Sequence, residues 1–429
     1  MTYAETVEYL FNSTPVFEKI GAVAYKEGLS NTLALDEHLS HPHRRFKSIH
    51  VAGTNGKGSV SHSLASILQA SGLRVGLFTS PHLVDFRERI RVNGECVSEE
   101  YVVDFVERHR AFFEPLHPSF FELTTAMAFA YFAEQEVDVA VVEVGLGGRL
   151  DCTNIITPDL CIITNISLDH TQFLGDTPAK IAFEKAGIIK HGVPVVIGEA
   201  TSETRPVFES KAAEMEAPIT FAEDTPLVIE STVCPHHTRK YLVEQLGEVC
   251  SDLGGNYQSR NIETILHAVF ILRDAGYPIT SDSIKSGLEN VCRSTGLMGR
   301  WQQVGDSPTV VIDTGHNVGG WQWLAQQLRE LHCRRMRIVF GMVDDKDLDT
   351  VMGLLPQDAD YYFTRASSKR AINEEIVRAT GEGKGLHGRS YPTVPEAFAA
   401  AMSDAYPDDF IFVGGSSYVV ADFLAAKVL

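Results

Sequence analysis

The chain has 429 residues, 44% of them apolar and 22% charged, with 34 glycines and 18 prolines, which excludes disordered and collagen-like classes and predicts two or three packed domains. Acidic residues outnumber basic ones 56 to 37, a formal charge of −19 that repels polyanions, so no nucleic acid partner is expected. No apolar run reaches the about 18 to 20 residues of a membrane span, residues 1–21 lack a basic stretch followed by an apolar one, and the seven scattered cysteines form no CxxC pair. A cytoplasmic chain with no membrane partner, no disulfide and no zinc is expected.

Short Val- and Ile-rich runs at 48–53, 74–80, 137–145, 160–166 and 194–198 lack strict alternation and are separated by helix-length stretches. They predict buried parallel strands with helices on both faces of a sheet. Residues 200–255 are rich in charge, Pro and Thr, with KYLVEQLGEVC at 240–250 as their one clear strand or helix candidate, and predict an antiparallel extension. Helical periodicity returns at 256–290 and is lost across 291–299, where Gly296 and Gly299 mark a linker. A second strand series follows at 309–315, 335–341, 358–365 and 408–415, before a final helix. The expected fold is α/β, with two doubly wound, mainly parallel-sheet domains: residues 1–290, a linker at 291–299, and a smaller Rossmann-like domain at 300–429.

The segment HVAGTNGKGS at 50–59 is a strand running through a Gly-rich turn into a helix that starts near Ser59. Glycines let successive backbone N–H groups point inward, the helix N-terminus adds positive potential, and Lys57 can reach the outer phosphates of a nucleotide. The run departs from the general G-x-x-x-x-G-K-[ST] pattern, because Val51 stands at the first glycine and Gly58 separates Lys57 from Ser59. Asn55, Gly56, Lys57, Gly58 and Ser59 are therefore candidate phosphate-binding residues.

Polar residues at the carboxyl ends of predicted strands are the next candidates, since open α/β sheets bind ligands there. Ser80 ends one strand, Glu143 lies near the end of another, and Asp169-His170 follows a third. A carboxylate among valines is costly to bury unless it is paired or binds a cation, which makes Glu143 a metal-ligand candidate. The glycines of EVGLGGRLD at 143–151 have a dinucleotide-like spacing, but no helix is predicted to follow them. Lys185, taken alone, reads as an exposed helix lysine. His38, His41 and His43 beside Arg44 and Arg45 read as a solvated loop, and Trp301, Trp321 and Trp323 as packing. Arg300 and Asp313 to Asn317 offer charge and hydrogen bonds to a ribose or phosphate.

Together these motifs resemble the Mur ligase superfamily and, within it, the bacterial folylpolyglutamate synthase/dihydrofolate synthase family. The resemblance rests on HVAGTNGKGS (50–59), TSPHLVDFRERIRV (79–92), EVGLGGRLDCTN (143–154), SLDHTQFLG (167–175), EKAGI (184–188), GRWQ (299–302), DTGHN (313–317) and GMVDDKD (341–347), in order and spacing. Val318 and Trp301 stand where the family commonly has Pro and Phe. The resemblance implies an ATP-dependent ligase that joins dihydropteroate or folate to L-glutamate through an acyl phosphate, releasing ADP and phosphate. It implies that Asn55 to Ser59 hold ATP, that Ser80, Glu143 and His170 hold magnesium at two sites, that Asn261, Arg300 and Asp313 contact nucleotide, and that His316 lies beside the nucleotide or the incoming glutamate. It places the pterin near Ser119, Phe120, Phe121 and Glu122 and near Leu150, Asp151 and Cys152, and it implies a carbamylated Lys185. A monomer is expected. A cell-wall Mur ligase, a P-loop ATPase switch and a dinucleotide-binding scaffold are the alternative readings.

Overall fold

The computed structural model describes residues 1–13 and 28–426; residues 14–21 of the stretch read for a leader lie outside the described residues. Two compact units are present, one of Met1–Ser231, Tyr241–Ser251 and Arg260–Leu297, the other of Thr232–Lys240, Asp252–Ser259 and Met298–Leu429.

In the first unit, strands β1 (Lys47–Ala52), β2 (Val75–Phe78), β3 (Ile90–Val92), β4 (Glu95–Cys96), β5 (Val139–Glu143), β6 (Leu160–Ile163), β7 (Val195–Ile197) and β8 (Ile219–Phe221) form an eight-stranded sheet ordered β4-β3-β2-β5-β1-β6-β7-β8. The run from β2 to β8 is parallel, and β3 and β4 add an antiparallel edge. Ile49, Val51, Val141, Val142 and Ile162 are fully buried, as strands covered on both faces require. β1 lies between β5 and β6; the chain runs from β1 to β2 on one side and crosses to the other between β5 and β6, and the crevice beyond the carboxyl end of β1 is where such sheets bind ligands.

Four helices of this unit matter for the site: α1 (Lys57–Ala70), α2 (Phe120–Glu134), α3 (Pro178–Ala186) and α4 (Gln258–Asp274), the last beginning at the unit boundary. α1 is buried on every side from Gly58 to Leu68. Its serines admit a close neighbour: Ser66 Oγ donates to Gly287 O at 2.6 Å, and a Cβ on Gly287 would come within 2.5 Å of Ile67 Cα. Two large apolar clusters cover the sheet, one around Leu64, Leu68, Leu266 and Leu288, the other around Phe78, Phe105, Phe129 and Val142.

Residues 200–255 hold more regular structure than expected. They contribute β8 to the main sheet, a helix at Arg205–Glu214, and a three-stranded sheet of β9 (Val228–Val233), β10 (Arg239–Val243) and β11 (Gly247–Ser251). KYLVEQLGEVC is thus neither one strand nor one helix but two strands and their turn. The segment read as having lost regular structure carries a short helix, Val291–Thr295, ended by Gly296 at φ +69°.

In the second unit, β12 (Gln302–Asp306), β13 (Thr309–Asp313), β14 (Met336–Phe340), β15 (Asp360–Thr364), β16 (His387–Tyr391) and β17 (Phe410–Gly414) form a six-stranded sheet ordered β12-β13-β17-β14-β15-β16. Only the β12 edge is antiparallel. Trp301 and Trp321 are buried packing residues, with Trp321 against Phe340 and Phe412. Among the described residues no helix is long and apolar enough to cross a membrane.

Candidate functional site

The loop between β1 and α1 is shaped by two glycines. Gly53 lies at φ +143° and Gly56 at φ +84°; a Cβ on the first would sit 1.9 Å from Thr164 Oγ1, and on the second 2.3 Å from Asn261 Oδ1. The loop is laced to the end of β6: Asn55 N donates to Asn165 Oδ1 at 3.0 Å, Thr54 N to Asn165 O at 2.9 Å, and Ser167 N to Thr54 Oγ1 at 3.0 Å. Gly56 supplies no side-chain cap to α1, which leaves the positive end of that helix for an anion. Ser59 is buried in the first turn. Thr164 and Asn165 were missed by sequence reasoning, although a polar pair closing the apolar run LCII at a strand end was a usable signal.

Two lysines meet at this loop. Lys57 Nζ donates to Gly53 O at 3.1 Å and Thr54 O at 3.3 Å, and Lys185 Nζ donates to the same Gly53 O at 2.9 Å. Lys185 is 5% exposed, so the reading of an exposed helix lysine is overturned. Burial, reinforced by the Lys57 charge and only partly opposed by Asp169 and Asp151, pushes its ammonium down to about 7. Its neighbour Glu184 is taken by Arg149 at 2.9 Å.

The loop at 145–151 seats Lys185. Arg149 N donates to Glu184 O at 2.8 Å, and a Cβ on Gly148 would lie 2.9 Å from both Glu184 O and Lys185 O. The glycines of EVGLGGRLD therefore let a loop press on the end of α3, and a short 3₁₀ turn, Cys152–Ile155, follows them. Asp151, buried, accepts from Leu146 N at 2.8 Å and Thr153 N at 3.0 Å and so closes this loop; burial raises its carboxyl above the usual range. Cys152 beside it is half-buried, its thiol pushed up by burial, and Leu150 is half-buried.

Glu143 ends β5 opposite Val51 and is 4% exposed, and its Oε2 accepts from Ser80 N at 3.1 Å. The structure thus brings Ser80 and Glu143 together. His170 stands in the loop after β6 at φ 50°, with Nε2 3.9 Å from Asp169 Oδ1. Among the described residues no group of three or more His, Cys, Asp and Glu is arranged to hold a metal ion. A serine and a single carboxylate beside a phosphate loop suit magnesium, which keeps several waters and takes oxygens from substrate phosphates.

The aromatic candidates separate. Phe120 is 4% exposed and packs on Phe11 at 4.6 Å and Phe86 at 5.8 Å, inside the core. Phe121 is half-buried, against Phe78 at the end of β2 and against Gly145, where a Cβ would meet its ring at 2.4 Å. Ser119 and Glu122 form a capping box at the start of α2, with Glu122 N donating to Ser119 Oγ at 3.2 Å and Ser119 N to Glu122 Oε2 at 2.6 Å. The histidines read as a solvated loop are also engaged: His41 and His43 each place Nδ1 2.6 Å from the buried Asp36 carboxylate.

In the second unit, Asp313 ends β13 and is 2% exposed. It accepts from Tyr257 Oη at 2.6 Å, Trp301 N at 2.7 Å and Gly315 N at 2.7 Å. Burial raises its carboxyl, while the Tyr257 hydroxyl and the Arg300 charge oppose that rise. Arg300 donates to Gly299 O at 3.1 Å and to the Thr314 hydroxyl, and His316 Nδ1 lies 3.1 Å from Thr314 O. Arg300, Asp313 and His316 are thus gathered at one strand end, while Asn261 belongs to the first unit beside Gly56. Tyr257 was missed, and nothing in its local sequence marked it.

Residues 51–262 match the Mur ligase middle domain, and residues 299–417 match the Mur ligase glutamate ligase domain. A folylpolyglutamate synthase of Lacticaseibacillus casei is 33% identical over 98% of this chain and 97% of its own. A dihydrofolate synthase/folylpolyglutamate synthase of Bacillus subtilis is 32% identical, covering 92% and 94%. Among solved structures, E. coli FolC in complex with DHPP and ADP is similar with a TM-score of 0.84 and 30% identity, over 99% of this chain and 97% of that one. A bifunctional folylpolyglutamate synthase/dihydrofolate synthase with Mn, AMPPNP and L-glutamate bound has a TM-score of 0.81 and 28% identity, over 100% and 98%. With two Mur ligase domains in order and relatives that align over nearly its whole length, the chain belongs to the folylpolyglutamate synthase/dihydrofolate synthase family of Mur ligases.

Proposed function

We propose that the chain is an ATP-dependent ligase that adds L-glutamate to dihydropteroate, to folate in growing tetrahydrofolate polyglutamates, or to both. The observation that carries this reading is the phosphate loop closed by Lys57 and Lys185 on one carbonyl, with Glu143 and Ser80 at the neighbouring strand ends. The E. coli relative's DHPP and ADP favour a pterin acceptor over a muropeptide one.

The acceptor's carboxylate oxygen attacks the γ-phosphorus of ATP and the bond to the β-phosphate oxygen breaks, giving an acyl phosphate and ADP. The neutral amine of glutamate then attacks the acyl carbon, and the tetrahedral intermediate expels phosphate as the nitrogen loses its proton. Both steps depend chiefly on alignment and charge stabilisation. Asn55 to Ser59 hold the phosphates, chiefly through the N–H groups at the start of α1 since that of Asn55 is given to Asn165, and Lys57 leaves the Gly53 and Thr54 carbonyls to neutralise the outer ones. Ser80, Glu143 and His170 would hold magnesium, with two ions expected; when bound, the metal spreads the negative charge of the transferring group. Asn261, Arg300 and Asp313 bind the nucleotide, His316 lies by the nucleotide or the incoming glutamate, and Phe121 offers a ring face to the pterin beside Leu150 to Cys152. Ser119 and Glu122 act there by fixing the start of α2. Lys185 carries a carbamate: the ammonium first loses a proton, the neutral amine attacks the carbon of CO₂ as a C=O π pair moves to oxygen, and loss of a second proton from nitrogen leaves an anion where the cation stood. The enzyme acts as a cytoplasmic monomer.

The test is mass spectrometry of products after incubation with ATP, L-glutamate and, separately, dihydropteroate, a glutamylated folate or a UDP-linked muropeptide. Glutamylated pterin products with equimolar ADP are expected. ATP turnover without such products, or with the muropeptide alone as acceptor, overturns the reading.

A further inference from the structure

Asp313 offers its surroundings about four acceptor positions, two on each carboxylate oxygen. Among the described residues three are filled: Oδ2 accepts from Tyr257 Oη at 2.6 Å and Trp301 N at 2.7 Å, and Oδ1 accepts from Gly315 N at 2.7 Å. One position on Oδ1 is left, at the carboxyl end of β13, where such sheets take their ligands. The two amides can only donate, so a proton on Asp313 either takes that same remaining position or makes the Tyr257 hydroxyl turn to accept it.

We propose that Tyr257 is a positioning residue for nucleotide binding, its hydroxyl holding Asp313 as an oriented carboxylate whose last acceptor position is offered to a sugar hydroxyl. The inference rests on the reading of Asp313 as a nucleotide contact. Without the Tyr257 hydroxyl, Oδ2 gains an open position in a buried site, where a proton is favoured over a charge. The Arg300 guanidinium and the Trp301 and Gly315 amides remain as the opposing groups, with the His316 ring turned to Thr314 O. The acid form arises at higher pH, and the site passes from an ion that only accepts to a group that also donates.

The experiment measures ADP affinity by calorimetry from acid to neutral pH for the wild type, Tyr257→Phe, Asp313→Ala and the double variant, each checked for folding by thermal unfolding. Asp313→Asn replaces the alanine variant if that one does not fold. Tyr257→Phe is expected to weaken ADP roughly tenfold, as loss of a hydrogen bond to a charged group does. Its affinity should also begin to fall at a higher pH than in the wild type. In the Asp313→Ala background, Tyr257→Phe should add nothing, because the carboxylate through which it acts is gone. Steady-state assays should show the loss in KM for ATP more than in kcat. If Asp313→Ala binds ADP like the wild type, the nucleotide reading of Asp313 fails. If that variant is weakened but Tyr257→Phe keeps the wild-type affinity and pH profile, or adds its full loss in the double variant, the role of Tyr257 fails alone.

Discussion

Two ammonium groups on one carbonyl oxygen repel each other, and burial removes the water that would screen them. The relief available is chemical: Lys185, held down to about 7, gives up its proton, and CO₂ can then turn the cation into an anion. Activity at fixed CO₂ should therefore fall as pH drops through about 7, because the protonated amine cannot react. Lys185→Arg, which cannot form a carbamate, should lose on the order of a hundredfold or more in kcat, and Lys185→Ala should regain part of its loss with short carboxylic acids. A near-normal arginine variant, together with a wild type indifferent to bicarbonate, would rule the carbamate out. Lys57→Ala and Glu143→Ala should each slow acyl-phosphate formation by about two to three orders of magnitude, read as single-turnover ADP release with dihydropteroate; normal release in either would remove that residue from the step. These residues differ in how legible they were. Glu143 announced itself as a carboxylate in a run of valines, and the loop at 53–59 by its glycines. Lys185 did not, because its burial is created by Gly148 and Gly187 packing on one another's loops, a contact no local pattern in a nine-residue helix records.

At the scale of elements, the turn into α1 joins backbone geometry to ligand binding. Gly56 and Gly72 share φ +84°, but a Cβ on Gly56 would lie 2.3 Å from Asn261 Oδ1, whereas nothing lies within 4 Å of one on Gly72. Alanine at either position should cost about 1–2 kcal/mol in left-handed strain. Only Gly56→Ala must also displace the buried Asn261 and distort the phosphate loop, so it alone should weaken ADP by more than about tenfold. Thermal unfolding and ADP titration of the two variants test this, and equal ADP affinities would show that the loop tolerates the side chain. The elements that escaped sequence reasoning share a physical reason. β8, β12 and β16 are short edge strands in which Phe221 alone is buried, so no run of apolar residues marks them. The strands of both sheet centres were legible because burial on two faces demands continuous Val, Ile and Phe.

At the scale of the whole molecule, the second unit is not one stretch of chain. Thr232–Lys240 and Asp252–Ser259 belong to it, although Arg260–Leu297 of the first unit lies between them and Met298 in sequence. They supply partners to polar groups that the unit buries. Asn256 N donates to Gln327 Oε1 at 2.7 Å, Gln327 Nε2 to Gly254 O at 3.4 Å, Asn256 Nδ2 to Glu330 Oε2 at 3.1 Å, and Tyr257 Oη to Asp313. A fragment of residues 300–429, the span first expected for this domain, would keep the core of Val311, Trp321, Phe340 and Phe412 but take Asn256 and Gly254 from Gln327, which is 6% exposed, and one of three donors, Tyr257, from Asp313, which is 2% exposed. Each buried group left without its partner costs about 1–3 kcal/mol, a serious fraction of the roughly 5–15 kcal/mol that holds a domain folded. Such a fragment should retain its far-ultraviolet circular dichroism, because the sheet and its apolar contacts remain. Its unfolding should be broader and about 10 °C or more below that of the full chain, with added dye binding to exposed apolar surface. A sharp transition at the full chain's temperature would mean that the two inserted segments rest on a unit that is already complete without them.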